Sequence, residues 1–548
     1  MSVSTSTDPV LLRIRDLTVR GHRSPTASPL LDRIDLDVRE REIIGVVGES
    51  GAGKSTLGLA ALGYAREGCR FTSGTVSFRG EDLLGAPRKY RRSLRSSEIA
   101  YVAQSAAANF NPFYRLISQV VEFQVQRGLA SRQQARQNAI ALFRELHLPD
   151  PKTFGSRFPH QVSGGQLQRA MTAMAMICEP RLIVFDEPTT ALDVTTQVEV
   201  LISIREAVRR LGTACIYITH DLAVVSQMAD RIVVLKDGKA VEEQATRSLI
   251  ANPREEYTKS LWAVRTFRAP ENPPIEQGGE AVCSVRGLSA GYRKEPVIQD
   301  ITFDLGAGRT LAVVGESGSG KSTLARCISG LLAPTQGEIR FEGQTLAASC
   351  RDRVRATLRD IQIVFQASDI TLNPRHRVQE IIGRPLEFYH GLKGQERRRG
   401  IANLLEMVEL DAGYFGRRYP GELSGGQRQR IGIARALAAR PKLIICDEII
   451  SALDQLVGEG ILRLLSRLQR EGRLSYLFIT HDIAAVRAIA DEVIVMKDGR
   501  IVGRGPKALV LDNPTDAYTR KLMEAVPAMD PDWLDGVERG RLDIDKGR

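Results

Sequence analysis

The sequence lacks any apolar run long enough to cross a membrane. No stretch approaches the roughly 18–20 uninterrupted apolar residues that a transmembrane helix needs. The opening residues, MSVSTSTDPV, contain neither a basic region nor an apolar core, so they do not read as a secretory signal. The seven cysteines are scattered and never spaced as C-x-x-C, which argues against a disulfide framework and a cysteine zinc site. These absences predict a cytosolic protein whose membrane role depends on partners.

Aromatic residues are also few, at 5% of 548 residues, but a hydrophobic fraction of 43% is enough to build globular cores. The length corresponds to about three to five ordinary domains, or to two large composite ones. The net charge is +11, from 76 basic and 65 acidic residues. A mild basic bias of this kind suits an anionic ligand, an acidic partner or a membrane surface, and it does not require nucleic acid.

The sequence repeats itself once along its length. GESGAGKST (48–56) recurs as GESGSGKST (315–323), VSGGQLQR (162–169) as LSGGQRQR (423–430), LIVFDEPTTALD (182–193) as LIICDEIISALD (443–454), and ITHD (218–221) as ITHD (479–482). The copies are 267 positions apart at the two lysines and 261 positions apart at the last two motifs, which indicates two copies of one fold. We expect the length differences in loops such as residues 85–98.

The repeat predicts two domains, at residues 1–262 and 281–526. The segment between them, AVRTFRAPENPPIEQGGE (263–280), is rich in Pro, Gly and Glu and lacks apolar periodicity, as linkers do. Residues 527–548 have a similarly loose composition, which predicts a C-terminal tail.

Within each half, short apolar runs alternate with longer segments. EIIGVVG (42–48) and RLIVFD (181–186) suit strands that are buried on both faces of a parallel sheet. SRQQARQNAIALFRELHL (131–148) has a helical pattern and lies where a helical subdomain would sit. The predicted fold class is therefore α/β, in two tandem copies, each with a mixed sheet core and an α-helical subdomain.

Each copy contains a phosphate-binding loop of the pattern G-x-x-x-x-G-K-[ST] after an apolar strand. The glycines allow backbone N–H groups to surround phosphate oxygens, and the following helix presents its positive end. Lys54 and Lys321 would reach the β- and γ-phosphates, while Ser55 and Ser322 would hold Mg²⁺. The predicted nucleotide-binding residues are Gly48, Ser50, Gly51, Gly53, Lys54, Ser55 and Thr56, and Gly315, Ser317, Gly318, Gly320, Lys321, Ser322 and Thr323.

Two adjacent carboxylates follow an apolar strand in each copy. Asp186 and Asp447 end the strand, where a carboxylate lies beside the phosphates and serves as a second magnesium ligand. Glu187 and Glu448 come next, and a second carboxylate there can orient and deprotonate the attacking water. A pair of solvated acids is the alternative interpretation, and the equal spacing of both pairs after the other motifs disfavours it.

A histidine ends a later strand in each copy, at His220 and His481, from which an imidazole can reach the γ-phosphate. A lone histidine is usually structural, but its repetition within ITHD favours a functional role. Together with the loops and the acids, the SGGQ segments followed by helices resemble the ATP-binding cassette family. The resemblance covers nearly the whole chain, once in about 1–262 and again in about 281–526.

In that family two cassettes pair head-to-tail, and each ATP lies between one phosphate-binding loop and the other cassette's SGGQ. The serine hydroxyl, the glycine amides and the helix dipole then complete an anion cage only on closure. The resemblance implies one site made of Lys54, Ser55, Gln104, Asp186, Glu187 and His220 with Ser424, Gly425, Gly426 and Gln427. It implies another made of Lys321, Ser322, Gln366, Asp447, Glu448 and His481 with Ser163, Gly164, Gly165 and Gln166.

The resemblance also assigns roles within these sites. Glu187, His220, Glu448 and His481 are the implied catalytic residues, and Gln104 and Gln366 the implied nucleotide and Mg²⁺ contacts beside the serines and aspartates. Asp193 and Asp454 match the family's D-loop, which couples the two sites. The implied cofactors are ATP and Mg²⁺.

Three positions depart from the family's pattern. Tyr292 stands where an aromatic stacks on adenine, whereas the first half has Gly21 there, with Arg20 or His22 as substitutes. Ile449 replaces the usual proline after the second glutamate, and the loss of a fixed φ angle is expected to loosen that turn. The third change, Val162 in place of leucine before SGGQ, is neutral. We expect two hydrolysing sites of unequal efficiency.

Two further repeats indicate the branch of the family. Asn111-Pro112 and Asn373-Pro374 follow the two glutamines, and each half ends with N-P-x-x-x-Y-T-x-x-L, at 252–261 and 513–522. This pairing looks like the ATPases of oligopeptide, dipeptide and nickel importers, here with both cassettes in one chain. The resemblance implies peptide import first, and import of nickel or another chelated metal second.

The implied partners are two membrane permeases, docked near Gln104 and Gln366, and an extracytoplasmic solute-binding protein. The implied location is the cytoplasmic face of the inner membrane. Ribosome-acting and DNA-repair ATPases also carry duplicated cassettes, and the basic charge would suit nucleic acid. The short Pro-rich join and the absence of cysteine zinc modules argue against both, and the YT-x-x-L ends argue against an exporter.

Overall fold

The computed structural model describes residues 9–21, 28–95, 97–190, 192–263, 267–270, 281–292, 295–366, 371–451 and 453–538. It divides the chain into two compact units. The first consists of Met1–Trp262 together with Pro527–Arg548, and the second of Ala263–Val526. The C-terminal residues therefore belong to the first unit, although they follow the second along the chain.

The first unit alternates strands and helices after an antiparallel start. Its strands are β1 (Val10–Gly21), β2 (Leu31–Arg39), β3 (Ile43–Val47), β4 (Cys69–Phe78), β5 (Glu81–Asp82), β6 (Ile99–Val102), β7 (Leu182–Asp186), β8 (Ala214–Ile218), β9 (Arg231–Lys236) and β10 (Lys239–Ala245). Its helices are α1 (Lys54–Ala60), α2 (Arg88–Leu94), α3 (Ala106–Asn109), α4 (Leu116–Gln126), α5 (Arg132–Glu145), α6 (Pro151–Phe154), α7 (Gly164–Met176), α8 (Val194–Leu211), α9 (Leu222–Met228), α10 (Thr246–Ala251) and α11 (Glu256–Ala263).

Two sheets form the core of the first unit. One is a four-stranded antiparallel sheet in the order β2-β1-β4-β5, and the other is six-stranded, in the order β10-β9-β3-β8-β7-β6. In the larger sheet β6, β7, β8, β3 and β9 are parallel, while β10 pairs antiparallel at the edge. Every residue of β3, β7 and β8 is buried, because a parallel sheet is covered on both faces. Helix α1 contributes Leu57 and Ala60 to the apolar cluster that joins the two sheets.

The helices between β6 and β7 form the helical part of the unit. Helix α5 buries Ala135, Ala139, Leu142 and Phe143, which recur at a spacing of three to four residues along one face. The Phe143 ring packs edge-on against Phe154, with ring centroids 5.3 Å apart. The helix predicted from the pattern at 131–148 is thus confirmed.

The second unit repeats this architecture. Its strands are β11 (Ala281–Tyr292), β12 (Glu295–Gly306), β13 (Thr310–Val314), β14 (Gln336–Phe341), β15 (Gln344–Thr345), β16 (Ile361–Val364), β17 (Leu443–Asp447), β18 (Ser475–Ile479), β19 (Glu492–Lys497) and β20 (Arg500–Pro506). Its helices are α12 (Lys321–Ile328), α13 (Arg355–Asp360), α14 (Val378–His390), α15 (Gly394–Met407), α16 (Ala412–Phe415), α17 (Gly425–Leu437), α18 (Gln455–Gly472), α19 (Ile483–Ile489), α20 (Lys507–Asp512) and α21 (Ala517–Glu524).

The sheets of the second unit have the same strand orders. The four-stranded sheet runs β12-β11-β14-β15 and the six-stranded sheet β16-β17-β18-β13-β19-β20. Strands β16, β17, β18, β13 and β19 are parallel, and β20 is the antiparallel edge. The α/β fold class predicted from the sequence, with two mixed sheet cores and helical subdomains, is confirmed.

Two segments differ from their sequence-based descriptions. Residues 85–98, expected as a loop, contain the short helix α2. The C-terminal tail, described as loose from its composition, packs on the first unit over residues 527–538, and residues 533–538 are helical. Of the expected linker, 267–270 packs on the second unit through Phe267 and Ala269, whereas 271–280 lies outside the described residues.

Among the residues that the structure describes, no helix is both long and apolar enough to span a bilayer.

Candidate nucleotide-binding sites

The first phosphate-binding loop connects β3 to α1. Gly48 has a φ of +153°, and a Cβ there would lie 2.2 Å from the carbonyl oxygen of Leu235, so this position excludes a side chain. At Gly51, with a φ of +88°, nothing lies within 4 Å of an added Cβ. The Lys54 ammonium donates hydrogen bonds of 2.8 Å to the carbonyl oxygens of Gly48 and Glu49. The loop thus encloses open space with backbone and a buried cation, which suits a phosphate group.

The second loop, between β13 and α12, has the same geometry. An added Cβ at Gly315 would lie 2.2 Å from the carbonyl oxygen of Met496, while Gly318 again faces open space. Lys321 donates hydrogen bonds of 2.8 Å and 2.7 Å to the carbonyl oxygens of Gly315 and Glu316. Both predicted loops therefore form the same cradle of backbone and lysine in the two units, of a shape that suits a phosphate group.

The other predicted loop residues lie around these cradles. Ser50 and Ser317 are exposed, Gly53 and Gly320 precede the helices with φ angles of +101° and +98°, Ser55, Thr56 and Ser322 are half-buried, and Thr323 is buried.

The loop serine contacts the strand-end aspartate in each unit. Ser55 Oγ donates a 3.0 Å hydrogen bond to Asp186 Oδ1, and Ser322 Oγ donates one of 3.0 Å to Asp447 Oδ1. Burial raises the pKa of the Asp447 carboxyl above its usual range, although the bond from Ser322 opposes this. A hydroxyl and a carboxylate at one point are hard oxygen donors of the kind that suit Mg²⁺.

Glu187 is the centre of a hydrogen-bonded group in the first unit. Its Oε2 accepts from Gln104 Nε2 at 3.1 Å and from Thr190 Oγ1 at 3.0 Å, and it lies 3.3 Å from His220 Nδ1. Burial alone would raise the pKa of Glu187, but the bond from His220 and the charge of Lys54 bring it below the usual value. Burial likewise opposes the charged form of His220, yet Glu187 raises the pKa of the imidazole overall. The pair favours an ionised carboxylate beside a protonated imidazole.

The second unit arranges the matching residues less tightly. His481 Nδ1 lies 3.7 Å from Glu448 Oε2, and the bond from His481 lowers the pKa of Glu448. Gln366 Nε2 donates to Ser451 Oγ at 3.0 Å instead of to the glutamate, and Ser451 Oγ donates to the Glu448 carbonyl oxygen at 3.0 Å. The glutamine therefore contacts the glutamate carboxylate directly in the first unit, whereas in the second it contacts Ser451.

The turn after the glutamate is the same in both units, contrary to the expectation from Ile449. Glu187 and Glu448 have φ angles of 49° and 50°, and their N–H groups donate to Ile218 and Ile479 over 2.9 Å. Ile449 is buried in the apolar core, which holds the turn in place of a proline ring.

The position at which the resemblance implies an aromatic stacked on adenine differs between the units. Tyr292 ends β11 with its ring exposed, and its hydroxyl accepts a 2.5 Å hydrogen bond from Arg326. In the first unit β1 ends at Gly21, with Arg20 half-buried before it, and His22 lies outside the described residues. An exposed aromatic ring is thus present at this place in the second unit and is replaced by a glycine in the first.

The SGGQ segment of the first unit caps helix α7. Ser163 Oγ accepts from the Gln166 N–H at 3.3 Å, and Gln166 Oε1 accepts from the Ser163 N–H at 3.2 Å, which makes a capping box. Gly164 is exposed, whereas Gly165 is buried, and an added Cβ at Gly165 would lie 2.2 Å from Thr196 Cγ2. One glycine therefore faces outwards and the other permits close helix packing.

Helix α17 begins in the same way. Ser424 Oγ accepts from the Gln427 N–H at 3.3 Å, and Gln427 Oε1 accepts from the Ser424 N–H at 2.9 Å. An added Cβ at Gly426 would lie 2.3 Å from Val457 Cγ1, while one at Gly425 would make only ordinary contact.

Comparison with known families identifies the chain. The ABC transporter family model matches residues 31–190 and 298–451, more than half of the sequence. The chain belongs to the ABC transporter family. As an ABC protein it binds ATP and hydrolyses it, so the ATPase activity predicted from the motifs is confirmed.

A second model, the oligopeptide/dipeptide transporter C-terminal region, matches residues 502–545 of this ABC protein. The chain is 38% identical over 563 residues to the glutathione import ATP-binding protein GsiA of Salmonella choleraesuis, a match that covers 95% of this chain and 90% of the relative. It is 36% identical over 534 residues to the peptidoglycan transport ATP-binding protein YejF of Agrobacterium fabrum, covering 95% and 97%. The predicted resemblance to peptide-importer ATPases with two cassettes in one chain is confirmed.

Three tyrosines near the ABC sites were not singled out from the sequence. Tyr101 donates a 2.5 Å hydrogen bond to Asp186 Oδ2, and Ile363 occupies the matching place in the second unit. Tyr257 and Tyr518, of the two YT-x-x-L segments, accept 3.1 Å hydrogen bonds from the phosphate-loop N–H groups of Glu49 and Glu316. The repetition of the YT-x-x-L motif was the sequence signal for the latter pair.

The D-loop aspartates have a local structural role. Asp193 Oδ1 accepts a 3.0 Å hydrogen bond from the Thr196 N–H, and Asp454 Oδ1 accepts one of 3.0 Å from the Val457 N–H. Each aspartate therefore caps the helix that packs against the SGGQ helix of its own unit.

Proposed function

We propose that this ABC ATPase supplies the energy for peptide import through a membrane permease. The match of residues 502–545 to the oligopeptide/dipeptide transporter region carries this proposal. The names of the relatives, which refer to glutathione import and peptidoglycan transport, support a substrate of peptide character. The Asn-Pro pairs after both glutamines and the YT-x-x-L ends, shared by both halves, agree with this branch of the family.

The residues around each phosphate-binding loop divide the chemical work. The loop amides and Lys54 hold the phosphates, and Ser55 with Asp186 supplies the oxygens for Mg²⁺, which neutralises the phosphate charge when bound. Glu187 is ionised and so accepts a hydrogen bond from the attacking water and orients it. His220, fixed by Glu187, directs its imidazole to the γ-phosphate.

In the second unit Lys321, Ser322, Asp447, Glu448 and His481 have the same proposed roles, with Gln366 as a further contact. Each site is completed by the SGGQ segment of the opposite cassette. The exposed serines and outward glycines at the starts of α7 and α17 support this, since these helix starts lie at the surface, where their positive ends can meet a phosphate. The two sites hydrolyse ATP with unequal efficiency, because the glutamine and histidine contact the catalytic glutamate more closely in the first unit.

The proposed partners are two membrane permeases and an extracytoplasmic solute-binding protein. The permeases dock near Gln104 and Gln366, so that closure of the cassettes drives the translocation path. The chain then acts at the cytoplasmic face of the inner membrane and has no part in choosing the solute.

Uptake by intact cells tests the transport role. Cells that lack the gene are expected to stop accumulating labelled tripeptides or glutathione while nickel uptake continues. A plasmid copy restores the uptake, and a copy with Lys54→Ala and Lys321→Ala does not. Unchanged peptide uptake in the deletion strain would contradict peptide import, and a selective loss of nickel uptake would assign the metal instead.

Steady-state ATP hydrolysis by the purified chain tests the two sites. Glu187→Gln and Glu448→Gln are each expected to reduce the rate, and to different extents. Glu256→Gln, an exposed glutamate paired with Lys259 on α11, is the matched control and is expected to leave the rate unchanged. Indistinguishable losses in the two catalytic variants would refute the inequality.

A further inference from the structure

The C-terminal segment at 527–538 is bound to the first unit by a buried glutamine. Gln227 Nε2, on α9, donates 2.8 Å hydrogen bonds to the carbonyl oxygens of Ala528 and Asp530, and its Oε1 accepts one of 3.1 Å from the Leu534 N–H. Gln227 is buried, and Leu534 is completely buried in the contact. The Gln227 side chain thus replaces three hydrogen bonds that the backbone of the segment would otherwise make to water. The buried Leu534 side chain beside it excludes water.

A buried arginine holds the end of the same segment. Arg205 of α8 has only 2% of its side chain exposed and contacts Asp535 at 2.8 Å and Glu538 at 2.7 Å. Removing the carboxylates would leave this cation buried with its main partners missing, which is costly. The nearby pair of Arg247 with Asp532 is largely exposed and contributes little. Burial therefore assigns the binding to Gln227, Leu534 and Arg205.

The residues that contact this segment in the first unit are not repeated in the sequence of the second. The positions that match Arg205, Gln227 and Arg247 in the repeat are Ser466, Ala488 and Ala508. Instead, the Ala488 carbonyl oxygen accepts a 2.8 Å hydrogen bond from the Ala269 N–H of the segment that follows the first cassette.

The segment after the first cassette is held in the second unit through its aromatic ring as well. The Phe267 ring lies under the Arg463 guanidinium of α18 at 4.3 Å and packs on the apolar cluster. The segment that follows the first cassette therefore packs on α18 and α19 of the second unit. The segment that follows the second cassette packs on α8 and α9 of the first unit. The chain passes from one unit to the other twice, between Trp262 and Ala263 and between Val526 and Pro527.

We propose that residues 527–538 are a clasp that keeps the two cassettes associated when no nucleotide is bound. A single covalent connection leaves the cassettes free to separate. A second, non-covalent attachment through the tail holds them at two points, so that they meet again within one molecule. Opening after ATP hydrolysis is then limited in extent, and the next closure starts from nearby cassettes. The clasp acts through contacts far from the phosphate-binding residues in the sequence.

The carboxylates at the end of the clasp lie among other charges. Burial and a hydrogen bond with Glu538 raise the pKa of Glu206 to about 7. His147 Nδ1 lies 4.0 Å from Glu206 Oε2. Glu206, His147 and Glu538 line one cavity of the first unit. The remaining charged groups that line it are Glu145, Arg205, Arg209 and Arg210.

Cleavage of the covalent linker tests the clasp directly. A recognition sequence for a specific protease is inserted within 271–280 of the full chain, which carries an N-terminal affinity tag. After cleavage in EDTA without nucleotide, the tagged half is captured at nanomolar concentration and the retained C-terminal half is quantified. We expect retention with the native clasp, and at least about tenfold weaker association for Asp535→Asn with Glu538→Gln, or for a chain that ends at Val526.

Asp512→Asn is the matched control, because it removes a carboxylate that pairs with Arg487 inside the second unit. It is expected to retain the second half as the native chain does. The clasp variants change partly exposed tail residues, so circular dichroism is expected to show intact cassettes. Equal retention with and without the tail would overturn the proposal, and so would separation of the native halves. Neither result depends on ATP hydrolysis, so the test is independent of the proposed transport role.

Discussion

The two adjacent glycines of each SGGQ segment are expected to respond oppositely to alanine substitution. Gly165 is buried where α7 meets α8, and an added Cβ would lie 2.2 Å from Thr196 Cγ2. Gly164 precedes it on the exposed side, where a Cβ would make only ordinary contact. Gly165→Ala therefore tests packing, and Gly164→Ala tests the surface that we propose meets nucleotide.

The size of the Gly165→Ala effect follows from the crowding. Thr196 belongs to helix α8, so relief of this contact requires the Thr196 side chain to change rotamer or the two helices to move apart. Overpacking of this kind costs about 1–3 kcal/mol, and alanine's better helix propensity returns up to about 1 kcal/mol. A net loss of about 1–2 kcal/mol corresponds to a Tm lowered by roughly 2–8 °C in a unit of this size.

Differential scanning calorimetry and steady-state ATP hydrolysis, measured on the same samples, separate the two effects. Gly164→Ala is expected to keep or slightly raise the Tm and to reduce hydrolysis, since its methyl group projects from the exposed start of the helix. Gly426→Ala and Gly425→Ala form the matched pair in the second unit, where the close atom is Val457 Cγ1 at 2.3 Å. A Gly165→Ala protein as stable as the native chain would refute the packing argument. Full activity in Gly164→Ala would refute the surface assignment.

Three further outcomes are expected. Tyr101→Phe removes a hydrogen bond to the buried Asp186 carboxylate. In a urea titration it is expected to lower the free energy of unfolding of the first unit by about 1.5–3 kcal/mol. Ile363→Val, at the matching position of the second unit, removes no such bond and is expected to cost less than about 1.5 kcal/mol. Burial raises the pKa of Glu206 to about 7, and Glu538 of the clasp contributes to this rise, so docking takes up protons. Retention of the cleaved halves is therefore expected to weaken as pH rises through about 7. Glu538→Gln is expected to flatten that pH dependence, and a slope that persists in this variant would assign it to another group. Asp193→Ala removes the cap of α8 and is expected to cost about 1 kcal/mol in the same urea titration, an expectation that an unchanged midpoint would contradict.

Most of the fold could be predicted because its determinants are local. The strands before the phosphate loops are continuous apolar runs, and buried parallel strands require that pattern. The loops themselves are contiguous, so their glycines, lysines and serines appear side by side in the sequence. The duplication placed the aspartates, glutamates and histidines by their equal spacing. The match to the ABC family model then agreed with the motifs at both copies.

Pairings between distant residues could not be predicted in this way. Composition predicted a loose tail. That prediction missed the order of residues 527–538, because the residues that bind them, Arg205 and Gln227, lie about 300 positions away in the sequence. The hydrogen bond from Tyr101 to Asp186 spans 85 positions, and no periodicity or spacing marks it. Likewise, Ile449 preserves the turn after Glu448 through burial, a property that its side chain alone does not reveal.

The sequence by itself therefore determined the two cassettes, their phosphate-binding loops and the chemistry of the strand-end residues, because each depends on neighbours along the chain. Only the tertiary structure decided which side chains meet across the fold. Examples are the closer glutamine and histidine contacts of Glu187, the tyrosines that contact the loops and Asp186, and the surface of the first unit on which the C-terminal segment packs. These contacts depend on burial and on the approach of distant elements, and long-range packing of this kind is not encoded in any local pattern.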